Sequence, residues 1–468
     1  MSSPSSRQPP CPCGSGKRFQ DCHGGNPAAP ERATAAAADA LLRVAEDASA
    51  HGDAAAAEHA WRRVLEADPS HPEASFYLGN RSRERGEYAD AVTHYERVLR
   101  AVPDHASALN NLGLVYKACG EIERAEACYR AILALRPQDV GALINLAHLL
   151  FQREQYVEAI AISDRLLALD CDAPASIHLL RALSQERLQD IAGAEASLRA
   201  ATQRWPNDAT LHAYLGTLYV RQQRYTEAEE PLRRSVELAP RSAYALSMLA
   251  RARQHRCAWA ALGELFAPLE AILAAEGGEG PVPVEPFAAL AMPLSPLAQL
   301  HVAQRWARKI ALAAPRAEPL PLSVASGERL RVAFVCANFC EHPTAQLSME
   351  FWERIDRRRL EMFAYSLRRG NDAFANRIER AFEHFFDVSD EPVERIARRI
   401  RDDRIAVLID RNGYTMHARP AIFALRPAAV QVNCIGFPGT LGAPWYDYIF
   451  TDRFSLPERL TPFYSERP

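Results

Sequence analysis

Residues 106–137 read ASALNNLGLVYKACGEIERAEACYRAILALRP, and the spacing of their small residues recurs along the first half of the chain. One alanine position returns every 34 residues, at Ala57, Ala91, Ala125 and Ala159. A second position keeps small residues at the same step, at Ala45, Gly79, Gly113 and Ala147. A proline position follows with the same period, at Pro69, Pro103 and Pro137. Small residues at fixed places let neighbouring helices cross closely, and a proline closes each unit, so the spacing predicts a solenoid of paired helices.

This period is the tetratricopeptide pattern, and about six repeats cover roughly residues 35–240, with a further helix extending the array to about residue 260. Large side chains fill a slot four residues after the repeated alanine, at Trp61, Tyr95 and Tyr129. Stacked repeats wind into a superhelix whose concave groove holds extended peptides or partner helices. On this half alone, a protein-binding scaffold is the favoured function.

Two asparagines indicate how such a groove would hold a peptide. Asn111 and Asn145 occupy equivalent positions, two residues before the small residue in the first helix of their repeats. We expect both to face the groove, where an amide can donate to and accept from a peptide backbone. The alternative is that they only solvate the surface of the helix.

After residue 260 the repeat pattern stops and a different fold class begins. Gly- and Pro-rich segments flank a helical piece within residues 261–327, which we interpret as a linker region. From residue 328 to 468, short apolar runs such as LRVAFVC and IAVLID alternate with amphipathic helices. This alternation predicts a doubly wound parallel sheet, a Rossmann-like α/β lobe. The chain is therefore expected to be multidomain, with an N-terminal motif over 1–30, an α-solenoid over 35–260, the linker and the lobe.

Distinctive segments follow three strands of this predicted sheet: EHPTAQ (341–346), NGYT (412–415) and GFPGTLGA (436–443). Ligands bind open parallel sheets beyond the carboxyl ends of the strands, so the three segments should meet at one edge. Gly436 and Gly439 would allow close backbone approach to a ligand. Hydroxyl groups come from one threonine in each segment, Thr344, Thr415 and Thr440. We interpret this edge as a binding site, with ordinary turns as the alternative.

The N-terminal stretch CPCGSGKRFQDCHGG (11–25) gathers three cysteines and a histidine. Despite its GSGK, it lacks the first glycine and the Ser or Thr of a Walker A phosphate loop. No apolar h-region follows the first methionine, so nothing indicates secretion into a compartment that forms disulfides. We expect a structural zinc knuckle, with three thiolates and one imidazole supplied by Cys11, Cys13, Cys22 and His23. The stretch also resembles the SEC-C motif.

Composition gives no strong signal for nucleic acid and none for a membrane. Of the 468 residues 24% are charged, yet the net charge is only −3, which leaves no basic footprint for nucleic acid or an anionic membrane. No apolar run is long enough to suggest a membrane span. We therefore expect a cytoplasmic protein.

Six ordered motifs, HPT, NGYT, ALRPAAVQ, GFPGTLGA, DYIFTD and YSE, follow the repeats and resemble the protein O-linked N-acetylglucosamine transferase family. The resemblance implies a GT-B glycosyltransferase that uses UDP-GlcNAc to modify Ser or Thr of proteins presented by the superhelix. It implies that His342 and Thr344 lie beside the sugar and phosphates, and that Ile435 and Gly436 line the sugar pocket. His342 would be a general base or a phosphate donor, or else a turn histidine without a catalytic role. The rest of the expected substrate-binding set is Asn412, Tyr414, Thr415, Gly439 and Thr440.

Two positions depart from the family pattern. Asn338-Phe339 stands where members commonly carry Asp-Phe, whose carboxylate is a proposed proton acceptor, and an amide cannot take a proton at neutral pH. Gln346 replaces a histidine that often follows the HPT. Family members run on into a second lobe beyond the motif FYSERP, with which this sequence ends, so we expect the 468-residue chain alone to bind UDP-GlcNAc weakly and to transfer nothing. The alternative function is a non-catalytic tetratricopeptide scaffold with a relic lobe.

Overall fold

The computed structural model describes five ranges of the chain, which are 40–48, 50–169, 173–275, 284–313 and 328–468. The N-terminal cysteine motif lies outside these ranges. The chain divides into two compact units, Met1–Trp205 and Pro206–Pro468.

The first unit is a stack of helices in which each helix packs on the next. Helical residues 40–48 precede α1 (Ala54–Ala67), α2 (Pro72–Glu84), α3 (Tyr88–Ala101), α4 (Ala106–Ala118), α5 (Ile122–Leu135), α6 (Val140–Gln152), α7 (Tyr156–Leu167), α8 (Ala175–Arg187) and α9 (Ile191–Arg204). These bounds confirm the predicted solenoid of short helices with the 34-residue period.

The small positions of the repeat are explained by the large residues of the following helix. A Cβ atom on Gly79 of α2 would lie 2.8 Å from the ring of Tyr95 on α3. A Cβ atom on Gly113 of α4 would lie 2.7 Å from the ring of Tyr129 on α5. Both tyrosines are fully buried. Glycine is therefore required here because the aromatic ring fills the space between the two helices.

Ion pairs join consecutive repeats at a constant separation. Glu58 accepts from Arg85 Nη1 at 2.8 Å, and Glu126 accepts from Arg153 Nη1, in both cases across 27 residues. Glu126 also accepts from Arg130 Nε at 2.8 Å within its own helix. Because Glu126 is only 13% exposed, its pairs are more shielded from water than ordinary surface pairs.

The second unit begins with further helices and then forms the α/β lobe. Its helical part contains α10 (Ala209–Arg221), α11 (Tyr225–Leu238), α12 (Ala243–His255), a short 3-10 helix (Trp259–Ala261), α13 (Gly263–Ala274), α14 (Pro286–Leu290) and α15 (Pro296–Ala313). Gln254 Nε2 donates to the Ala291 carbonyl at 2.7 Å, and Glu270 accepts from the Ser295 amide at 3.0 Å. These bonds fasten α12 and α13 to the segment that leads into α15.

The lobe is a six-stranded sheet in the order β3-β2-β1-β4-β5-β6, and every neighbouring pair is parallel. Its elements are β1 (Leu330–Cys336), α16 (Pro343–Arg354), β2 (Leu360–Ser366), α17 (Ala373–Arg380), β3 (His384–Asp387), α18 (Val393–Asp402), β4 (Val407–Asp410), α19 (Ala421–Ala424), β5 (Val430–Cys434), β6 (Tyr448–Phe450) and a 3-10 helix (Glu458–Phe463). This order confirms the predicted doubly wound fold, with the switch point between β1 and β4.

Apolar side chains cover both faces of the sheet. Val332 and Phe334 of β1 pack with Trp352 of α16 on one face. Ala333 and Val335 pack on the other face, together with α18, α19 and two alanines of α15, Ala303 and Ala307. The helix within the segment that we interpreted as a linker thus contributes to the core of the lobe.

Candidate active site at the carboxyl edge of the sheet

The three segments singled out in the sequence follow β1, β4 and β5, which are adjacent strands. Since the strands are parallel, all three segments lie at the same edge, here termed the carboxyl edge. Two crossovers leave this edge toward opposite faces, through α16 after β1 and through α19 after β4. Such a point is where open α/β sheets place their ligands.

His342 is the N-cap residue of α16. Its Nδ1 atom accepts from the Thr344 amide at 3.3 Å and lies 2.7 Å from the Thr344 hydroxyl. A ring nitrogen that accepts from a backbone N–H carries no proton, so in the neutral ring the proton is on Nε2. The half-buried ring is therefore arranged as a hydrogen-bond donor at Nε2.

The NGYT segment is a tightly bonded turn. The buried Asn412 accepts from the Ala337 amide at 2.7 Å, which joins the ends of β4 and β1. The Tyr414 hydroxyl donates to the Leu441 carbonyl at 2.6 Å. The Thr415 hydroxyl donates to the Asn412 carbonyl at 2.9 Å. The polar groups of this segment thus hold the edge together.

A buried carboxylate supports the same turn. Asp410 Oδ1 accepts from the amides of Asn412 and Gly413 at 2.8 and 2.9 Å, and Oδ2 accepts from the Tyr446 hydroxyl at 2.5 Å. Burial raises the pKa of Asp410, and these hydrogen bonds oppose the rise.

The third segment contains a strained residue followed by a close backbone contact. Ile435 is 51% exposed and has a φ of 64°, in the left-handed region that β-branched residues rarely adopt. A Cβ atom on Gly436 would lie 1.7 Å from the Arg411 carbonyl oxygen. A Cβ atom on Gly439 would lie 2.9 Å from the Leu290 side chain. Strain of this kind is concentrated at functional sites, here beside the expected sugar position.

Thr440 faces inward. It is 6% exposed, and its hydroxyl donates to Glu466 Oε2 at 2.8 Å. Glu466 is itself buried and also accepts from the Leu441 amide at 2.5 Å. Burial raises the pKa of Glu466. Thr440 therefore fastens the YSE motif to the turn instead of offering its hydroxyl to solvent.

A cavity of about 560 Å³ opens at the carboxyl ends of β5 and β6. Its walls are mainly apolar and are formed by Cys434, Ile435, Phe437, Pro438, Ile449, Phe450 and Tyr464. Thr451, Asp452 and Ser455 supply the polar atoms. Asp452 accepts from the Ser455 amide at 2.8 Å, and such bonds lower the pKa of its carboxyl group. An apolar cavity with a few fixed polar groups is typical of a small-molecule site.

Sequence reasoning missed Arg411, which directly precedes NGYT and contacts the other two segments. Nη2 donates to the Thr344 carbonyl at 3.0 Å, and Nη1 lies 3.5 Å from Cys434 Sγ. The carbonyl group of Arg411 is the one that Gly436 approaches. Its sequence signal is a charged residue directly after a buried apolar strand, in VLIDR.

The expected groove asparagines of the first unit are bonded to two further asparagines. Asn111 Nδ2 donates to Asn80 Oδ1 at 2.8 Å, and Asn145 Nδ2 donates to Asn110 Oδ1 at 2.8 Å. Asn80 also accepts from the Tyr95 hydroxyl at 2.7 Å. Half-buried amides thus connect α2, α4 and α6. Asn80 and Asn110 could not be found from the repeat position that Asn111 and Asn145 share, because they stand at other positions of their repeats.

Known proteins share these features in the expected order. Residues 257–468 match Glycosyl transferase family 41. Tetratricopeptide repeats match at 42–80, 79–118, 106–139 and 179–243, and a SEC-C motif matches at 10–25. The second half of the chain is therefore similar to glycosyl transferase family 41, as its motifs predicted.

Two curated relatives are named as N-acetylglucosaminyltransferases. The probable UDP-N-acetylglucosamine–peptide N-acetylglucosaminyltransferase SEC of Arabidopsis thaliana is 35% identical over 222 residues, which are 45% of this chain and 23% of the relative. The UDP-N-acetylglucosamine–peptide N-acetylglucosaminyltransferase of Caenorhabditis elegans is 37% identical over 194 residues, 39% of this chain and 17% of the relative. The chain thus spans about a quarter or less of these relatives.

Two solved structures resemble the chain. One is a variant O-GlcNAc transferase of Thermobaculum terrenum, with 22% identity, coverage of 77% of this chain and 56% of that chain, and a TM-score of 0.38. The other is a tetratricopeptide repeat protein of Parabacteroides merdae, with 19% identity, coverage of 50% and 93%, and a TM-score of 0.40.

Two absences hold for the described ranges. No helix in them is long and apolar enough to cross a membrane. Within the same ranges, no group of His, Cys, Asp and Glu side chains could hold a metal ion. The predicted zinc ligands lie outside them.

Proposed function

We propose that this chain supplies the donor-binding edge for the transfer of N-acetylglucosamine from UDP-GlcNAc to Ser or Thr side chains of proteins bound along its helical repeats. The observation that carries the proposal is the meeting of three family motifs at the carboxyl edge, held together through Arg411. The names of the curated relatives support the same donor and the same acceptor class.

In the proposed reaction, the acceptor oxygen bonds to the anomeric carbon while the bond from that carbon to the UDP phosphate breaks. The negative charge that develops on the departing diphosphate needs a fixed donor. His342 suits this role better than that of a base, because Nδ1 is occupied and the proton is on Nε2. The acceptor proton leaves to water or to the departing phosphate, since Asn338 cannot accept it.

The cavity at β5 and β6 suits the sugar end of the donor. Ile435 and Pro438 lie in its wall, next to the close backbone contact at Gly436. Asn412, Tyr414 and Thr440 serve the site as framework residues, whereas Gly436 and Gly439 permit the close packing of the turn. Thr344 and Thr415 lie on the neighbouring segments of the same edge.

Acceptor proteins would lie along the repeats of the first unit. Asn111 and Asn145 would grip the peptide backbone, and the asparagines bonded to them would fix the orientation of their amides. We expect the double variant Asn111→Ala/Asn145→Ala to weaken acceptor-peptide binding. Unaltered affinity, measured by fluorescence anisotropy, would remove these residues from the groove.

The test of the donor site compares His342→Asn with His51→Ala in ligand-observed NMR titrations with UDP-GlcNAc. Asparagine keeps the N-cap but withdraws the Nε2–H donor, so its variant should bind UDP-GlcNAc more weakly while uridine binding is unchanged. In an active form, His342→Ala should lower turnover by about 100-fold or more. Equal affinity for UDP-GlcNAc in wild type, His342→Asn and His51→Ala would exclude His342 from the donor site.

The second candidate function is a scaffold without catalysis. It is favoured by the internal use of the Asn412, Tyr414 and Thr440 polar groups and by the amide at Asn338. Peptide binding by the wild-type chain with no interaction with UDP-GlcNAc would select this alternative.

The N-terminal motif would add a structural zinc ion. Three thiols and one imidazole, from Cys11, Cys13, Cys22 and His23, form a tetrahedral donor set, and the SEC-C match covers them. Such thiols stay reduced in the cytoplasm, which we propose as the compartment. Elemental analysis should find one zinc per chain, lost in Cys11→Ser/Cys13→Ser, whereas equal zinc contents in both proteins would contradict the motif's role.

A further inference from the structure

Arg411 is a buried cation, 2% exposed. Its guanidinium hydrogen bonds within the described residues go to neutral groups, although its charge opposes the burial-driven rise in the pKa of the neighbouring Asp410. The neighbouring carboxylate, Asp410, is bonded instead to two backbone amides and the Tyr446 hydroxyl. Burying a charge without a direct ion pair is unfavourable, so a buried arginine whose hydrogen bonds go to neutral groups suggests a functional use of its charge.

The contacts of the guanidinium fix it beneath the first turn of α16. Nη2 donates to the Thr344 carbonyl at 3.0 Å and to the Ser348 hydroxyl. The guanidinium carbon lies 5.6 Å from the centre of the Trp352 ring, a cation–π arrangement. Nε is buried and has no hydrogen-bond partner within the described part of the chain. These neighbours are neutral, so they orient the charge without cancelling it.

The backbone at the start of α16 offers an anion little. Pro343 has no N–H, and the Thr344 amide donates to the His342 ring. The amides of Ala345 and Gln346 both donate to the His342 carbonyl. The three segments that meet here contain no lysine or arginine. Arg411, which directly precedes NGYT, therefore supplies the one formal cation in and beside them.

We infer that Arg411 is the positioning residue for a diphosphate at the carboxyl edge, to which it supplies the compensating positive charge from beneath the His342–Thr344 turn. The inference rests on the proposed function and adds a residue to it. Being buried, Arg411 acts through the field across a short, water-poor distance and through the turn that it holds, without touching the ligand.

The probe is inorganic pyrophosphate, which carries the diphosphate charge without a nucleoside or a sugar. Binding is followed in the full chain by NMR, with nitrogen-15-labelled arginine. Pyrophosphate should shift the Arg411 Nε–H resonance of the wild-type protein, which is assigned by its loss in Arg411→Lys. No shift of that resonance at saturating pyrophosphate would overturn the inference, whether or not the variants fold.

Two substitutions then separate charge from structure. Arg411→Met, which removes the charge, should weaken the binding of pyrophosphate and of UDP about tenfold and leave the binding of uridine unchanged. Arg411→Lys, which keeps the charge but not the planar fork, should stay within about threefold of wild type. Arg358→Met, at an exposed arginine before β2, is the matched control and should change nothing. Equal losses of pyrophosphate affinity in Arg411→Met and Arg411→Lys would assign Arg411 a purely structural role and refute the inference. A loss of uridine affinity as large as the loss of pyrophosphate affinity would do the same.

UDP-GlcNAc is titrated in parallel, so that the two proposals fail separately. Arg411-dependent binding of pyrophosphate without binding of UDP-GlcNAc would refute the proposed function and support the anion site. Binding of UDP-GlcNAc that is indifferent to Arg411→Met would do the reverse.

Discussion

Gly436→Ala is the sharpest single test of how the carboxyl edge is built. The added methyl group would lie 1.7 Å from the Arg411 carbonyl oxygen, 2.3 Å from its carbonyl carbon and 2.8 Å from the Asn412 amide nitrogen. All three atoms belong to the backbone at the end of β4, so no side-chain rotation can relieve the overlap. The segments after β4 and β5 must separate.

The expected loss of stability follows from that geometry. Overpacking a well-packed interior usually costs about 1–3 kcal/mol, and an overlap with rigid backbone belongs at or above the top of that range. Gly439→Ala meets the flexible Leu290 side chain at 2.9 Å, so we expect about 1 kcal/mol. Gly263→Ala meets nothing within 4 Å and should be neutral or slightly stabilising, since alanine favours the helix.

Urea unfolding of the three variants should rank their losses as Gly436, then Gly439, then Gly263. Hydrogen–deuterium exchange should locate the Gly436→Ala effect in peptides that cover β4, β5 and the segments after them. A loss below about 1 kcal/mol for Gly436→Ala, with unchanged exchange in those peptides, would show that the two segments do not pack as closely as described.

Three further predictions concern the repeats and the buried acids. Gly120→Ala should cost about 1 kcal/mol in urea unfolding because its φ of 79° disfavours a side chain, whereas Gln189→Gly, at φ 63°, should be neutral or stabilising by less than about 1 kcal/mol. Glu126→Gln should lower the free energy of unfolding by about 1 kcal/mol, because it removes the ion pairs with Arg153 and with Arg130 of the same helix. High salt should only partly remove this effect, since Glu126 is largely shielded from water. Burial raises the pKa of Glu466, so the folded state holds this proton more tightly than the unfolded state. The stability of wild type relative to Glu466→Gln should therefore fall as the pH rises above about 4.5, and a difference that rises with pH would contradict it.

The helical repeats could be predicted from sequence because each constraint is local. Gly113 and Tyr129 lie 16 residues apart, as do Gly79 and Tyr95 in the preceding repeat, so their contact is visible as a period. The sheet could be predicted from alternation alone. The meeting of the three segments at one edge also followed from the sequence, since parallel strands place their following segments together.

The roles of single residues at that edge could not be predicted, because their partners are distant in sequence. Thr440 was expected to offer its hydroxyl to a ligand, but it bonds Glu466, 26 residues later. Asn412 was expected to bind substrate, but its amide oxygen accepts from Ala337, 75 residues earlier. Which polar group meets which depends on strand order, and no local pattern encodes that order.

The buried acids and the hydrogen-bond donors of the carboxyl edge have different roles. Asp410 and Glu466 are buried acceptors that fix backbone amides and hydroxyls, so they set the shape of the edge and are unavailable as bases for a ligand. His342 has one ring nitrogen bound and the other free to donate, and Arg411 adds a positive charge whose hydrogen bonds go to neutral groups. Because these two buried acids are occupied in the framework, an edge with a histidine donor and a buried arginine is suited to stabilising negative charge, as the departure of a diphosphate requires. Proton abstraction from the acceptor would then depend on the donor's own phosphate or on groups other than those that build this edge.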